Sequence, residues 1–227
     1  MDVFVETQVQ RSDYLLIKER DDAIKRLLTP EEAVQYDLRM SMTTATLRGQ
    51  LVGFEPTEQE FIALFKLRRE YEDKFPMFPM ANPDDLTAAE RRAKREAAEA
   101  AEQQLQEQIK QTLGAQRYAD YEIAQDYAYE QMYRVAKQAG LGTPEAKQAY
   151  AMKKAAEVQA ARIRNDQSLT PEQRGAGLAG IRQETEASIH AVLGEKGWAQ
   201  FNRGGNNRWL DAIIPRSAQE NAGAPRP

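Results

Sequence analysis

The chain has 227 residues, with 31 Lys+Arg against 35 Asp+Glu, a net charge of −4 and no cysteine. The missing thiols exclude disulfides, thiolate metal sites and cysteine nucleophiles, and a nearly balanced charge without a lysine-rich block argues against nucleic acid as a partner. Leu, Ile, Val and Phe together make up only roughly a fifth of the chain, which excludes a thick hydrophobic core, whereas the abundant Ala, Glu, Gln, Lys and Arg are strong helix formers.

The start, MDVFVETQVQRSDYLL, lacks a basic segment followed by an apolar one, so it does not read as a signal peptide as given. No window approaches the apolar length that spans a membrane. Val9, Leu16, Ile17, Ile24 and Leu28 fall at helical spacing, so a helix is expected over 7–28, after a Val3-Phe4-Val5 stretch that suits extended backbone. Thr29-Pro30-Glu31-Glu32 opens a second helix to about Leu51, ended by Gly53 and Pro56. Thr57-Glu58-Gln59-Glu60 opens a third, with Phe61, Leu64, Phe65, Tyr71 and Phe75 as its buried stripe. PMFPMANP, residues 76–83, cannot continue it, because its three prolines lack amide donors and clash with the preceding turn.

Residues 84–113 are almost pure helix former. Their small and apolar positions Leu86, Ala89, Ala93, Ala97, Ala101, Leu105 and Ile109 predict a thin helix roughly 40 Å long, packed on one side. Beyond Gly114 a tyrosine-rich helix runs to about Ala139 and closes at Gly140 and Gly142. Thr143-Pro144-Glu145 starts the next, to about Arg164, and NDQS makes a turn. Thr170-Pro171-Glu172-Gln173 begins a helix ending near Leu193-Gly194, followed by a short Trp198/Phe201 segment. From Gly204 onward the chain reads as a tail, with Trp209, Leu210, Ile213 and Ile214 available to dock.

LTPEE, PTEQE and LTPEQ share a physical reason. A threonine N-cap accepts from the N3 amide, proline at N1 needs no donor, and Glu or Gln at N3 reaches back to the cap amide. A second recurrence is longer-range. Ile24/Leu28/Tyr36, Ile109/Leu113/Tyr121 and Ile189/Leu193/Phe201 repeat one spacing, and the first two continue in step, Leu47 matching Met132 and Phe65 matching Tyr150. A duplicated helix–turn–helix unit is expected, because a unit that cannot bury its own face stacks on a neighbour.

Sites of chemistry are scarce. His190 is the only histidine, with Glu186 four residues before it, and a metal needs three or four ligands, so a helix-surface histidine is the better reading. No paired Glu-x-x-His motif exists, and no Ser–His–Asp arrangement can be built. GAGLAG (175–180) follows no strand and suits close helix contact rather than phosphate binding. Tyr118, Tyr121, Tyr127, Tyr129 and Tyr133 crowd one expected helix; core packing is the default, and a sticky face for a protein partner is the alternative. Acidic residues flank these rings where single-stranded nucleic acid would require cations.

Leu169-Thr170-Pro171-Glu172-Gln173 resembles the LTxxQ motif of Spy/CpxP-like periplasmic proteins, small helical stress-response chaperones and regulators; residues 145–203 carry most of that resemblance. The chain is also similar to bacterial helical proteins that often carry an N-terminal membrane anchor. The resemblance implies the bacterial envelope and a protein partner or unfolded client, with a membrane reached only through an anchor absent from this sequence.

The expectations are therefore an all-α fold of elongated antiparallel hairpins with about seven helices. Residues 1–75 are expected to form an N-terminal helical unit, 76–83 a proline-rich linker or corner, 84–203 the long helix plus a C-terminal helical unit, and 204–227 a flexible tail. The function expected is non-enzymatic protein binding, chaperone-like, with Phe61, Phe65, Tyr129, Met132 and Tyr133 as partner-binding residues and no metal or cofactor. The alternative is a structural scaffold pairing through the 84–113 helix, including as a homo-oligomer.

Overall fold

In a computed structural model the described residues are 2–76 and 86–214, with side chains described from residue 13 onward and Gly204 left aside. The fold is all-α: among these residues there are nine helices and no strand. They are α1 (Asp2–Lys25), α2 (Pro30–Met40), α3 (Met42–Gln50), α4 (Glu58–Lys74), α5 (Ala88–Ala124), α6 (Tyr127–Ala139), α7 (Thr143–Asn165), α8 (Pro171–Asn202) and α9 (Arg208–Asp211). The prolines expected to make a corner lie mostly in 77–85, outside the described residues, as does 215–227 of the expected tail.

Two compact units form, one from Met1–Leu51 with Glu55–Glu122, the other from Val52–Phe54 with Ile123–Pro227. The division differs from the one expected at residues 76–83, because the long helix belongs to the first unit up to Glu122. The expected flexible tail also differs. Leu210 and Ile213 are 1% and 3% exposed, so two of the four apolar docking residues hold residues 208–213 against the second unit's core.

Helix starts are fixed by their caps. The Thr29, Thr57 and Thr170 hydroxyls accept from the amides of Glu32, Glu60 and Gln173 at 3.2–3.3 Å, and those side chains accept from the cap amides at 2.7–2.9 Å. Thr87 and Glu90 make a further such box, within LTAAE, that the sequence reading passed over. Each cap is worth about 1 kcal/mol.

Two expected helices are split, and one residue explains each split. The 30–51 helix breaks at Ser41, which is extended (φ −71°, ψ 153°) and serves both as the last cap of α2 and the N-cap of α3. Its hydroxyl accepts from the Thr44 amide at 3.2 Å, and the Thr44 hydroxyl donates to the Asp37 carbonyl, which also accepts from the Ser41 amide at 3.1 Å. Asp126 does the same work after α5: its carboxylate accepts from the Ala128 amide at 2.8 Å. Burial opposes ionisation there, but the Tyr150 hydroxyl, the Ala128 amide and Lys154 hold the Asp126 carboxyl below the usual range. At the other end of the chain, Val3-Phe4-Val5 lies in α1 and is helical rather than extended.

The duplication is visible in the caps. The same interval, 85 residues, separates N-cap Ser41 from N-cap Asp126 and N-cap Thr57 from N-cap Gly142. At N3 the paired residues Glu60 and Glu145 both accept from the cap amide, at 2.7 and 2.9 Å. The Arg68–Glu72 ion pair on α4 has its counterpart in Lys153–Glu157 on α7. The third copy starts later: Gly114 in α5 and Gly194 in α8, each just after the Ile…Leu pair, interrupt their helices at φ 74° and 62°.

In the second unit the core is Tyr129, Met132 and Val135 of α6 against Ile189, Leu193 and Phe201 of α8. Tyr129 is fully buried, and its hydroxyl donates to the Gly53 carbonyl at 3.0 Å. Gly53 has φ 85°, and a Cβ there would lie 2.8 Å from the Tyr129 ring, so both conformation and space require glycine. α7 buries Ala146, Ala149, Lys153, Ala156 and Ala160, a 3–4–3–4 spacing of mostly small residues that lets neighbouring backbones approach closely.

In the first unit Thr43, Thr44 and Leu47 of α3 and Leu64 and Phe65 of α4 are buried, as are Leu105, Ile109 and Tyr121 of α5. Arg117 on α5 forks onto Glu60 at 2.8 and 3.0 Å and reaches Asp120 at 3.3 Å. The Arg117 hydrogen bonds, aided by the Thr57 amide and working against burial, hold the Glu60 carboxyl down at about 2.

Tyr129→Phe leaves the buried Gly53 carbonyl without its donor and is expected to cost about 1–2 kcal/mol in a denaturant titration. The Glu60 pKa lies below its unfolded value of 4.5, so its contribution is fully present above pH 4.5 and is lost as pH falls toward 2. Arg117→Ala is expected to flatten that part of the acid-unfolding profile followed by circular dichroism.

Candidate docking surface

The five residues expected to bind a partner do not form one exposed face. Phe65, Tyr129 and Met132 are 4%, 0% and 3% exposed and belong to the cores of their units. Phe61 and Tyr133 are half-buried, the latter with its ring centroid 6.5 Å from that of Tyr129. Core packing therefore takes the residues that a sticky surface would need, because large rings in a chain so poor in aliphatics are the main apolar area available for burial. The expected tyrosine-rich helix is also two helices: Tyr118 and Tyr121 stack at 5.9 Å at the end of α5, while Tyr129 meets Tyr150 edge-on at 5.6 Å after the Asp126 break. Tyr127 is the exposed member, at 72%.

His190 stacks on Trp198 at 5.1 Å, with its Nε2 3.2 Å from Glu195; Glu186 pairs with Arg182 instead. Among the described residues, no group of three or more His, Asp or Glu is placed to hold a metal ion. None of the helices is long and apolar enough to cross a membrane, again among the described residues.

Three clefts stand out. One, of about 270 Å³, lies between α1, α3 and α4, and its charges are matched in pairs: Lys18 with Asp22 at 3.0 Å, Lys25 with Asp37 at 2.6 Å, Arg69 with Asp73 at 3.3 Å and Glu72 with Arg68 at 3.1 Å. A second, of about 350 Å³, lies between α6, α7 and residues 205–209. There the Lys153 ammonium sits 4.6 Å from the Trp209 ring centroid and pairs with Glu157, and the shielded Trp209 indole N–H has no acceptor among the described residues.

The third, of about 330 Å³, is a groove between the end of α4 and the first half of α5, rimmed by Glu70, Lys74, Gln104 and Gln108. Leu67, Tyr71 and Phe75 form one wall; Ala97, Ala101 and Leu105 form the other. Tyr71 and Phe75 pack at 5.4 Å, and the Arg68 guanidinium covers the Tyr71 ring at 5.3 Å while reaching Glu102 at 3.8 Å. Burial and the Glu102 carboxylate push the Tyr71 hydroxyl up, so it stays a neutral donor at the groove floor. N-terminal to the groove, α5 stands uncovered. Every residue from Thr87 to Ala97 is exposed, so Ala89, Ala93 and Ala97, expected as a packed stripe, are not buried within their unit. Further along, the expected stripe is buried at Leu105 and Ile109.

α8 in the second unit offers a contrast, since it too carries a positive-φ glycine, Gly194 as against Gly114 in α5. In the second unit α7 continues to Asn165, and Ile163 Cδ1 lies 2.9 Å from where a Gly177 Cβ would be. Leu178, beside it, is 2% exposed. In the first unit α4 ends at Lys74, ahead of Pro76. Of the GAGLAG glycines expected to permit close contact, Gly177 alone is crowded; a Cβ at Gly175 or Gly180 meets open space.

A pair of substitutions checks the contrast. Gly177→Leu forces a bulky side chain into the Ile163 contact and is expected to cost about 2–3 kcal/mol. Ala97→Leu, on the exposed face of α5, is expected to change stability by less than about 0.5 kcal/mol, both measured by urea unfolding.

No protein-family model, curated protein or solved structure matches the chain.

Proposed function

We propose that this protein is a non-enzymatic helical scaffold that docks another protein through the groove between α4 and α5 and the bare first half of α5. The observation that carries this reading is the exposed first turns of α5 running into a groove. The α8 face is filled at Gly177 by Ile163, while the α5 face is open at Ala97. Small side chains on an exposed helix give little reason for a stable free face, but they allow a partner backbone to approach closely. The groove wall of Leu67, Tyr71 and Phe75 supplies the apolar anchors that an incoming amphipathic helix would meet.

The chaperone-like reading, which the LTPEQ resemblance suggested, draws less support. LTPEQ is fully employed as the N-terminal cap of α8, and three of the five residues expected to hold a client are buried. The two readings separate in one experiment. A photo-crosslinking residue at position 97, in cells of the natural host, is expected to give a discrete protein adduct, and purified protein at equimolar ratio is expected to leave the aggregation of a denatured client unchanged. Absence of any adduct from position 97, together with suppression of aggregation, would overturn the scaffold in favour of client holding.

A further inference from the structure

Resting on that docking surface, we infer that its occupant is the same helix of a second copy of this chain, α5 pairing with α5 in antiparallel fashion about a two-fold axis. The charge order along the helix carries the choice of partner. Residues 88–95 hold Arg91, Arg92, Lys94 and Arg95 against Glu90, four positive charges to one negative, and residues 96–107 hold Glu96, Glu99, Glu102 and Glu107 with no cation. A parallel pair would set like against like. An antiparallel pair lays the basic turn of each copy along the acidic stretch of the other, and the two-fold axis makes that match twice.

Within a single copy these charges are only partly used. Arg92 pairs with Glu96 at 2.7 Å and Arg95 with Glu99 at 3.8 Å along the helix surface, and all four side chains are more than half exposed. Such exposed pairs contribute little and re-partner at small cost. Between the charges, Ala89, Ala93, Ala97 and Ala100 share the side of the helix that continues into the groove, so the seam is alanine on alanine and the two backbones can come close. Near the ends of the paired stretch, the first turn of each partner's α5 reaches the other copy's groove, where Leu67, Tyr71 and Phe75 receive its Leu86. A seam of this length falls at the small end of specific interfaces, which corresponds to a dimer dissociating at roughly micromolar concentration.

Sedimentation of the full chain tests this directly. The wild type is expected to move from 25.7 kDa to twice that mass as concentration rises. The triple reversal R92E/K94E/R95E and the triple reversal E96K/E99K/E107K are each expected to remain monomeric, weakening association by at least about tenfold. Mixed together, the two reversals are expected to restore a dimer. Circular dichroism and the thermal midpoint of each reversal check that α5 is still folded. A wild type that stays monomeric at every concentration overturns the inference, as does a dimer that survives both reversals or Ala97→Glu. A monomer whose position 97 still crosslinks to a different protein removes the self-pairing and leaves the scaffold standing. An intrachain crosslink from position 97 overturns both.

Discussion

A helix face made of alanine has to be covered closely or not at all. Alanine brings little area to bury, so its value in packing comes from the short distance it allows between backbones. α7 shows the covered case: Ala146, Ala149, Ala156 and Ala160 are 0–3% exposed because α6 and α8 press against them. α5 shows the uncovered one, with the same residue type at the same kind of spacing and its first turns exposed. α7 runs to Asn165 and meets α8 at Gly177, whereas α4 ends at Lys74 with Pro76 just beyond. Proline has no amide to donate and clashes with the preceding turn, which suits a helix end there.

The remaining aliphatic and aromatic side chains are spent on holding each unit together. Tyr129 fills the second unit's centre and ties its hydroxyl to Gly53, a residue that only glycine can be. Tyr150 does similar work at the edge: burial first, and then its hydrogen bond to Asp126, push its hydroxyl well above the usual tyrosine range. These tyrosines serve as large apolar bodies with one polar end that needs a partner, which suits a thin core better than phenylalanine would. The surface left over is alanine, charge and one groove.

Much of this was legible in the sequence, and the reasons are local. Thr29, Thr57 and Thr170 announce helix starts because cap chemistry involves residues three apart and nothing else. Gly140 and Gly194 announce breaks because only glycine adopts their backbone cheaply. The 85-residue repeat was visible as scattered apolar matches, and the caps of α3, α4, α6 and α7 fall on it. What escaped was equally physical. Ser41 and Asp126 look like ordinary helix-interior polar residues until their side chains are seen accepting from amides two or three positions on. Ala89, Ala93 and Ala97 were expected to be packed because their periodicity is helical, but periodicity says which side is apolar, not whether anything lies on it. Tyr129 and Met132 suit an interface and a core equally by type, and only burial separates the two; both are buried.

The central claim is that the first half of α5 is completed by the same helix of a second copy of the chain. Amide hydrogen exchange of the full chain, followed at low and high protein concentration, measures this most directly. Protection over residues 88–100 is expected to rise with concentration while residues 109–121, outside the paired stretch, stay constant. Equal protection of residues 88–100 at every concentration would contradict it.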